Sequence, residues 1–297
     1  MEQLSPEQLI RAGVHYGHDT SRWNPKMKPY IFSSKNKIHI IDIRETIRGL
    51  IVAKEFLKNV VAGGEDVLFV GTKYQARELL RRKAEENDVP YVVDRWLGGT
   101  LTNFKTIRSR LNRLEEIEQW EEDGTLDLYS KKEQSAILRE KRKLIRNLGG
   151  IRDLDELPGA MVVIDPLMEE IAVSEANRED IPIVALIDTD GDPSKVDVPV
   201  PCNDEAMRVI DMMVDELIAA VKEGQEKQAQ IYEEQQQKKQ QEQKQQSSSD
   251  EQQQEDTSSE AQNESDRSED EGENSDAADA SDNAEPSTPA QEEEATA

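Results

Sequence analysis

The stretch DVLFVGTKYQARELL, Asp66 to Leu80, decides the fold class. Asp66–Val70 is a compact apolar run, and from Tyr74 to Glu86 the residues change to a helical pattern, so a buried strand hands over directly to a helix. The same handover occurs upstream, where KIHIIDI (Lys37–Ile43) leads into a helical pattern over Glu45–Val61. PYVVD (Pro90–Asp94), AMVVID (Ala160–Asp165) and IPIVALID (Ile181–Asp188) add short, continuously apolar runs of the kind buried on both faces of a parallel sheet. Strands alternating with helices predict an α/β fold with a flavodoxin- or Rossmann-like parallel sheet. At the start of the chain, Ser5, Pro6 and Gln8 fit the cap, first-turn proline and capping-box positions of a short helix that Gly13 would end.

Between the two halves of that pattern, Leu101, Phe104, Ile107, Leu111, Leu114 and Ile117 recur at three- and four-residue steps, with Arg108, Arg110 and Arg113 on other faces. Gly124 breaks this helix, and a second runs from about Lys132 to Leu148 before Gly149 and Gly150. The pair predicts an antiparallel helical (coiled-coil) hairpin, inserted as residues 101–148 into a globular α/β domain of residues 1–100 and 149–224. Its second arm carries REKRKLIR (Arg139–Arg146), a basic face. From Gln225 to Ala297 the chain is built mainly of Gln, Glu, Ser, Asp and Ala, with no large apolar residue after Tyr232. Such a segment buries too little to offset chain entropy, so a disordered acidic tail is expected, with a frayed helical start over 226–244.

Charge restricts the possible partners. The chain has 37 Lys plus Arg against 63 Asp plus Glu, a net −26. Residues 225–297 hold 22 acids and 5 bases, a net −17, which leaves −9 for the first 224 residues. A polyanion can approach such a body only at locally concentrated positive patches. One is AGVHYGHDTSRWNPKMKPYIFSSKNKIHII (Ala12–Ile41), where Arg22, Lys26, Lys28, Lys35 and Lys37 alternate with Trp23, Tyr30 and Phe32 and no acid falls between Ser21 and Ile41. Cations beside flat rings suit RNA, which offers phosphates and stackable bases. A second dense stretch, though with one cation only, is RWLGGTLTNF (Arg95–Phe104), with Arg95 and Trp96 expected at the surface and two glycines allowing close backbone approach. Thr100 or Thr102 would cap the following helix there, and a tight cap is also a phosphate seat.

Other chemistry matches poorly. Gly71-Thr72-Lys73 opens a helix after a strand, but a phosphate-binding loop needs an earlier glycine and an adjacent Gly-Lys pair, and neither is present. No GxGxxG or GxSxG occurs. His15 and His18 are spaced HxxH, and with Asp188, Asp190 or Asp192 they would form a metal site only if folding converged them. Local hydrogen bonding or RNA contact is the expected role of the histidines, so no metal, no cofactor and no catalytic residue is assigned. A single cysteine, Cys202, excludes an internal disulfide framework. No apolar stretch approaches the roughly 18 to 20 residues that span a bilayer, and MEQLSPEQL is no signal peptide. A cytoplasmic protein without membrane contact is expected.

These segments together resemble the bacterial small-subunit ribosomal protein S2 family. The likeness is carried in order by AGVHYGHDTSRWNPKMKPYIF, IHIIDI, LFVGTKYQA, RWLGGTLTNFKTI, NLGGI, LPGAMVVID, IPIVALIDT and PVPCNDEA, covering most of Gln8 to about Val221. It implies a non-enzymatic structural protein, monomeric within the ribosome, whose α/β domain carries a protruding helical hairpin. It further implies binding to 16S ribosomal RNA, contact with other small-subunit proteins, and a docking site for ribosomal protein S1 through which messenger RNA is recruited. Matched by segment, the implied RNA contacts are Arg22, Trp23, Lys26, Lys28, Arg95, Trp96, Thr100, Asn103, Lys105 and Arg108. TDGDPSKVD (Thr189–Asp197) departs from a loop usually written with Asn and Cys, which counts against a metal there. The long acidic tail is a second departure. The competing reading is a nucleotide-binding α/β enzyme or switch, with Lys73 at a phosphate and Asp165 or Asp188 at a strand end.

Overall fold

The computed structural model describes residues 5–233 and 236. In β4 (Val67–Val70), β6 (Ala160–Ile164) and β7 (Ile183–Ile187) every residue is buried. Successive side chains of a strand point to opposite faces, and here each face has its own core. Val67, Phe69, Val162, Ile164, Val184 and Leu186 enter one of them, packed by α1 (Pro6–Ala12), α2 (Ile43–Ala62), α3 (Tyr74–Glu86) and α7 (residues 207–233). Leu68, Val70, Met161, Val163, Ile183 and Ala185 enter the other, packed by α4 (Phe104–Glu122), the end of α5 (Lys131–Leu148) and α6 (Glu170–Arg178). With β5 (Tyr91–Val92) and β8 (Val198–Pro201) these strands form one parallel sheet in the order β5-β4-β6-β7-β8. The fold is the expected Rossmann-like α/β sheet. Its strand order reverses between β4 and β6, which makes the crevice beyond their C-terminal ends the usual ligand position of such folds.

Two expectations are corrected, and one strand is new. KIHIIDI contributes not to the parallel sheet but to a separate antiparallel one, β1 (Tyr16–Asp19), β3 (Ile38–Ile41) and β2 (Ile31–Lys35) in the order β1-β3-β2. Only Ile41 of β3 is buried, so its apolar run mimics a core strand without being one. PYVVD narrows to the two-residue β5. The fifth strand is VPVP, whose prolines disqualify it from a sheet centre but suit the edge it occupies. Thr46 of α2 donates to the Pro201 carbonyl at 2.5 Å, and a Cβ on Gly49 would come 2.5 Å from the Pro199 carbonyl oxygen, so glycine is what lets α2 lie against this strand.

Local capping follows the sequence at α1, whereas α4 starts after Asn103 with no side-chain cap and is capped by neither Thr100 nor Thr102. Ser5 and Gln8 exchange side-chain and backbone hydrogen bonds, and Gly13 closes α1 at φ 90°. Four side chains of α4, Ile107, Leu111, Leu114 and Ile117, are buried. Gly124 at φ 72° follows this helix, Ser130 and Glu133 form a capping box on α5, and Lys141 of α5 pairs with Glu121 of α4. The sequence pattern did not single out α6 or α7. Most of the tail expected from Gln225 lies outside the described residues; its described portion at 225–233 is helical and continues α7. No described helix is long and apolar enough to cross a membrane.

Candidate nucleic-acid interface

The first basic patch is the antiparallel sheet with the turn that precedes it. Asn24 caps a 3-10 turn over Pro25–Tyr30, its side-chain oxygen accepting from the Lys26 amide at 3.0 Å, and Met27 is fully buried beneath. The Asn24 amide donates to the Thr189 carbonyl at 2.8 Å, which ties the patch to the loop after β7. β2 and β3 join through Asn36 and Lys37, both at positive φ (53° and 67°), as a tight two-residue hairpin requires. The hairpin leaves Lys35, Lys37 and Phe32 exposed, and Arg22 and Lys28 stand exposed beside it. Trp23 is half-buried against His39, ring centroids 5.1 Å apart. Lys26 is exposed but engaged: it donates to Asp192 at 2.8 Å and to Ser194 at 2.6 Å, and these bonds, Lys26 first, hold the Asp192 carboxyl down to about 2.

The second patch differs from its expectation. Trp96, expected at the surface, is buried, and so is Thr100. Trp96 donates its indole N–H to Glu175 of α6 at 3.1 Å, and Thr100 donates its hydroxyl to the Leu97 carbonyl at 2.6 Å. The amides of Gly99, Leu101 and Thr102 converge on the same Glu175 carboxylate at 2.7, 3.0 and 3.3 Å. The phosphate seat foreseen in this turn is therefore filled from within. Burial pushes Glu175 up, but the Gly99 and Leu101 amides and the Trp96 indole outweigh that and leave it below its ordinary value. Arg95, Asn103 and Lys105 remain exposed around the turn. Arg108 is half-buried and occupied, donating to the Arg152 carbonyl at 2.7 Å and pairing with Asp155. The loop after β7 lies between the patches: Asp192 and Ser194 hold Lys26 on one side, while Lys195 reaches Glu170 and its carbonyl accepts from Asn177, both in α6, on the other.

The crevice at the sheet's reversal is filled in the same way. The Thr72 amide, at the start of α3, donates to the buried Glu169 at 2.6 Å, and Lys73 donates to Asp165 at 3.0 Å and Asp204 at 2.6 Å. Burial pulls Lys73 down, but Asp204 and Asp165 more than offset it. Both groups that would cradle a phosphate are thus bound to internal carboxylates. Against this geometry, the family model described as ribosomal protein S2 matches residues 9–224. The chain belongs to the ribosomal protein S2 family. It is 55% identical over 218 residues to small ribosomal subunit protein uS2 of Rhodopirellula baltica, covering 73% of this chain and 84% of that protein. To its counterpart of the same name in Salinibacter ruber it is 50% identical over 222 residues, covering 75% and 69%.

In this S2 protein the histidine and aspartate question has a geometric answer. His18, Asp188 and Asp204 each offer a ligand atom within 4.8 Å of the others, a nitrogen and two carboxylate oxygens of the kind that could hold a divalent cation. Each is already engaged, His18 Nδ1 with Asp188 at 3.0 Å and Asp204 with Lys73. The Asp188 carboxylate beside the ring raises His18 to about 9 against the opposing effect of burial. His15 is not in the cluster, and His39 lies against Trp23. What sequence reading missed in this S2 chain is Glu169 and Glu175. A usable signal was there: Glu175 interrupts the helical apolar stripe of Ala172, Val173 and Ala176, and an acid on a buried face needs partners.

Proposed function

We propose that this protein is a non-catalytic structural constituent of the cytoplasmic small ribosomal subunit, where it binds 16S ribosomal RNA through the two basic patches. One observation carries the reading: in a domain of net negative charge, Arg22, Lys28, Lys35, Lys37, Arg95 and Lys105 stand exposed with no carboxylate within 4.0 Å among the described residues. Exposed cations held by no close ion pair are suited to phosphate even on a surface that is acidic as a whole. Phe32 and the half-buried Trp23 supply stacking faces beside the first patch. The helices α4 and α5 act as an antiparallel hairpin whose arm Arg139–Arg146 adds cations, and Trp96, Thr100 and Arg108 serve RNA binding indirectly, by shaping the surface. Family membership supports contacts with neighbouring small-subunit proteins and docking of ribosomal protein S1, to which no residue is assigned.

The nucleotide-binding reading lacks free groups, since the Thr72 amide and Lys73 are both bound to carboxylates. Sedimentation of the tagged full chain through a sucrose gradient, followed by RNA crosslink mapping, tests the proposal. Migration with small subunits and crosslinks at residues 22–37 and 95–105 are expected. Migration free of subunits, or nucleotide hydrolysis abolished by Lys73→Ala, would overturn it.

A further inference from the structure

The turn between β5 and α4 is held by one side chain from another helix. Glu175 is 7% exposed and accepts from five donors, its Oε1 from the Trp96 indole and the Gly99 amide, its Oε2 from the Leu101 and Thr102 amides and the Thr102 hydroxyl, all between 2.7 and 3.3 Å. Two carboxylate oxygens have about four lone-pair sites, so their acceptor capacity is used up. Gly99 at φ 90° turns its amide inward, and the remaining bonds of the turn, Thr100 to Leu97 and Asn103 to Gly99, are its own backbone. Among the described residues nothing else satisfies the converging donors. Successive amides aimed at one point form a cradle that elsewhere holds phosphate, and here the anion in it belongs to the protein.

We propose that Glu175 is a positioning residue for RNA binding: an internal anion that stands in for phosphate in the cradle of residues 99–102 and so fixes Arg95, Asn103 and Lys105 where they meet RNA. The proposal rests on the reading of this turn as an RNA contact. Physically, a turn fixed before binding loses less conformational freedom on binding, and its side chains start from fixed origins. With the carboxylate removed, five donors would seek water or an outside anion and the turn would open. Glutamine makes the discriminating change. It keeps the size of Glu175 and its packing in α6, but it replaces one acceptor oxygen with an NH2 donor that must face N–H groups.

The test measures full-chain binding to a 16S ribosomal RNA transcript across a salt series, at a temperature where circular dichroism shows each variant folded. Glu175→Gln is expected to weaken binding about tenfold and to flatten the salt slope by about one phosphate contact. Glu175→Ala is expected to weaken it at least as much, with part of the affinity restored by formate but not by chloride at equal ionic strength. A purely structural role leaves the affinity and slope of the folded variants unchanged, which would overturn the proposal. So would tighter binding by Glu175→Ala, which would make the carboxylate a competitor of RNA phosphate. Arg95→Glu with Lys105→Glu separates the two levels of inference. If that pair leaves binding unaltered, the RNA reading of the turn fails, whereas if it weakens binding and Glu175→Gln does not, only the positioning role fails.

Discussion

The two basic patches reach a similar surface by opposite constructions. Between Ala12 and Ile41 the cations stand on exposed strands and a tight hairpin, with Met27 anchoring the segment from below. Between Arg95 and Lys105 the exposed cations ride on a turn whose shape is set by Glu175, an acid buried in another helix. In the first patch charge and surface coincide. In the second, the residue that matters most for geometry carries the same sign as the RNA proposed to bind there, and it lies inside. A reading by residue type finds the first kind of site and misreads the second, as it did when Trp96 was expected at the surface.

This contrast can be broken or sharpened by substitution. The largest effect is expected from Glu175→Ala on stability, because leaving several buried donors unpaired costs about 3 kcal/mol, measurable as a shifted urea midpoint. Charge reversals in the first patch should shift that midpoint by less than about 0.5 kcal/mol. If both kinds of substitution destabilised alike, the contrast would disappear. Next in size, Arg22→Glu with Lys28→Glu is expected to weaken binding to the 16S transcript by about thirtyfold at low salt and to lower the salt slope by about two contacts. Filter binding would check this, and an unchanged slope would remove these residues from the interface.

A smaller effect concerns Lys26, the cation of the first patch already held by an acid. Asp192→Asn releases it and is expected to tighten RNA binding about twofold; weaker binding would mean that the pair positions Lys26 for contact. The same pair should leave a mark in acid. Asp192 titrates at about 2 in the fold against an ordinary 3.8, so its stabilisation is present above the unfolded value and is lost as pH falls from about 4 to about 2. Thermal melts across that window should be less pH-dependent in Asp192→Asn, and identical slopes would show the pair to be incidental. Lys26→Glu alone should accordingly weaken binding less than Arg22→Glu.

Much of the architecture was legible from the residues. The runs DVLFV, AMVVID and IPIVALID declared core strands because hydrophobic burial scales with area and leaves contiguous apolar stretches wherever both sheet faces are covered. KIHIIDI followed the same rule and misled, since the rule cannot say which sheet a strand joins. VPVP was passed over because proline signals against a strand, and only its place at the edge, under α2, makes the segment possible. The cations were equally legible by residue type, but whether each is free was not: Lys26 and Arg108 look like Lys28 and Arg95 in one dimension.

The sequence by itself determined the α/β class, the helical periods, the scarcity of positive charge and its local gathering. Tertiary structure alone decided which acids meet which donors: Glu175 reaches Gly99 across 76 residues, Glu169 reaches Thr72 across 97, and Lys26 reaches Asp192 across 166. The physical reason is the nature of the interactions. Apolar burial repeats with the period of the element it stabilises, whereas a hydrogen bond or ion pair joins two points and imprints no period on the chain. An internal carboxylate seated in an amide cradle is therefore visible only after the chain has folded around it.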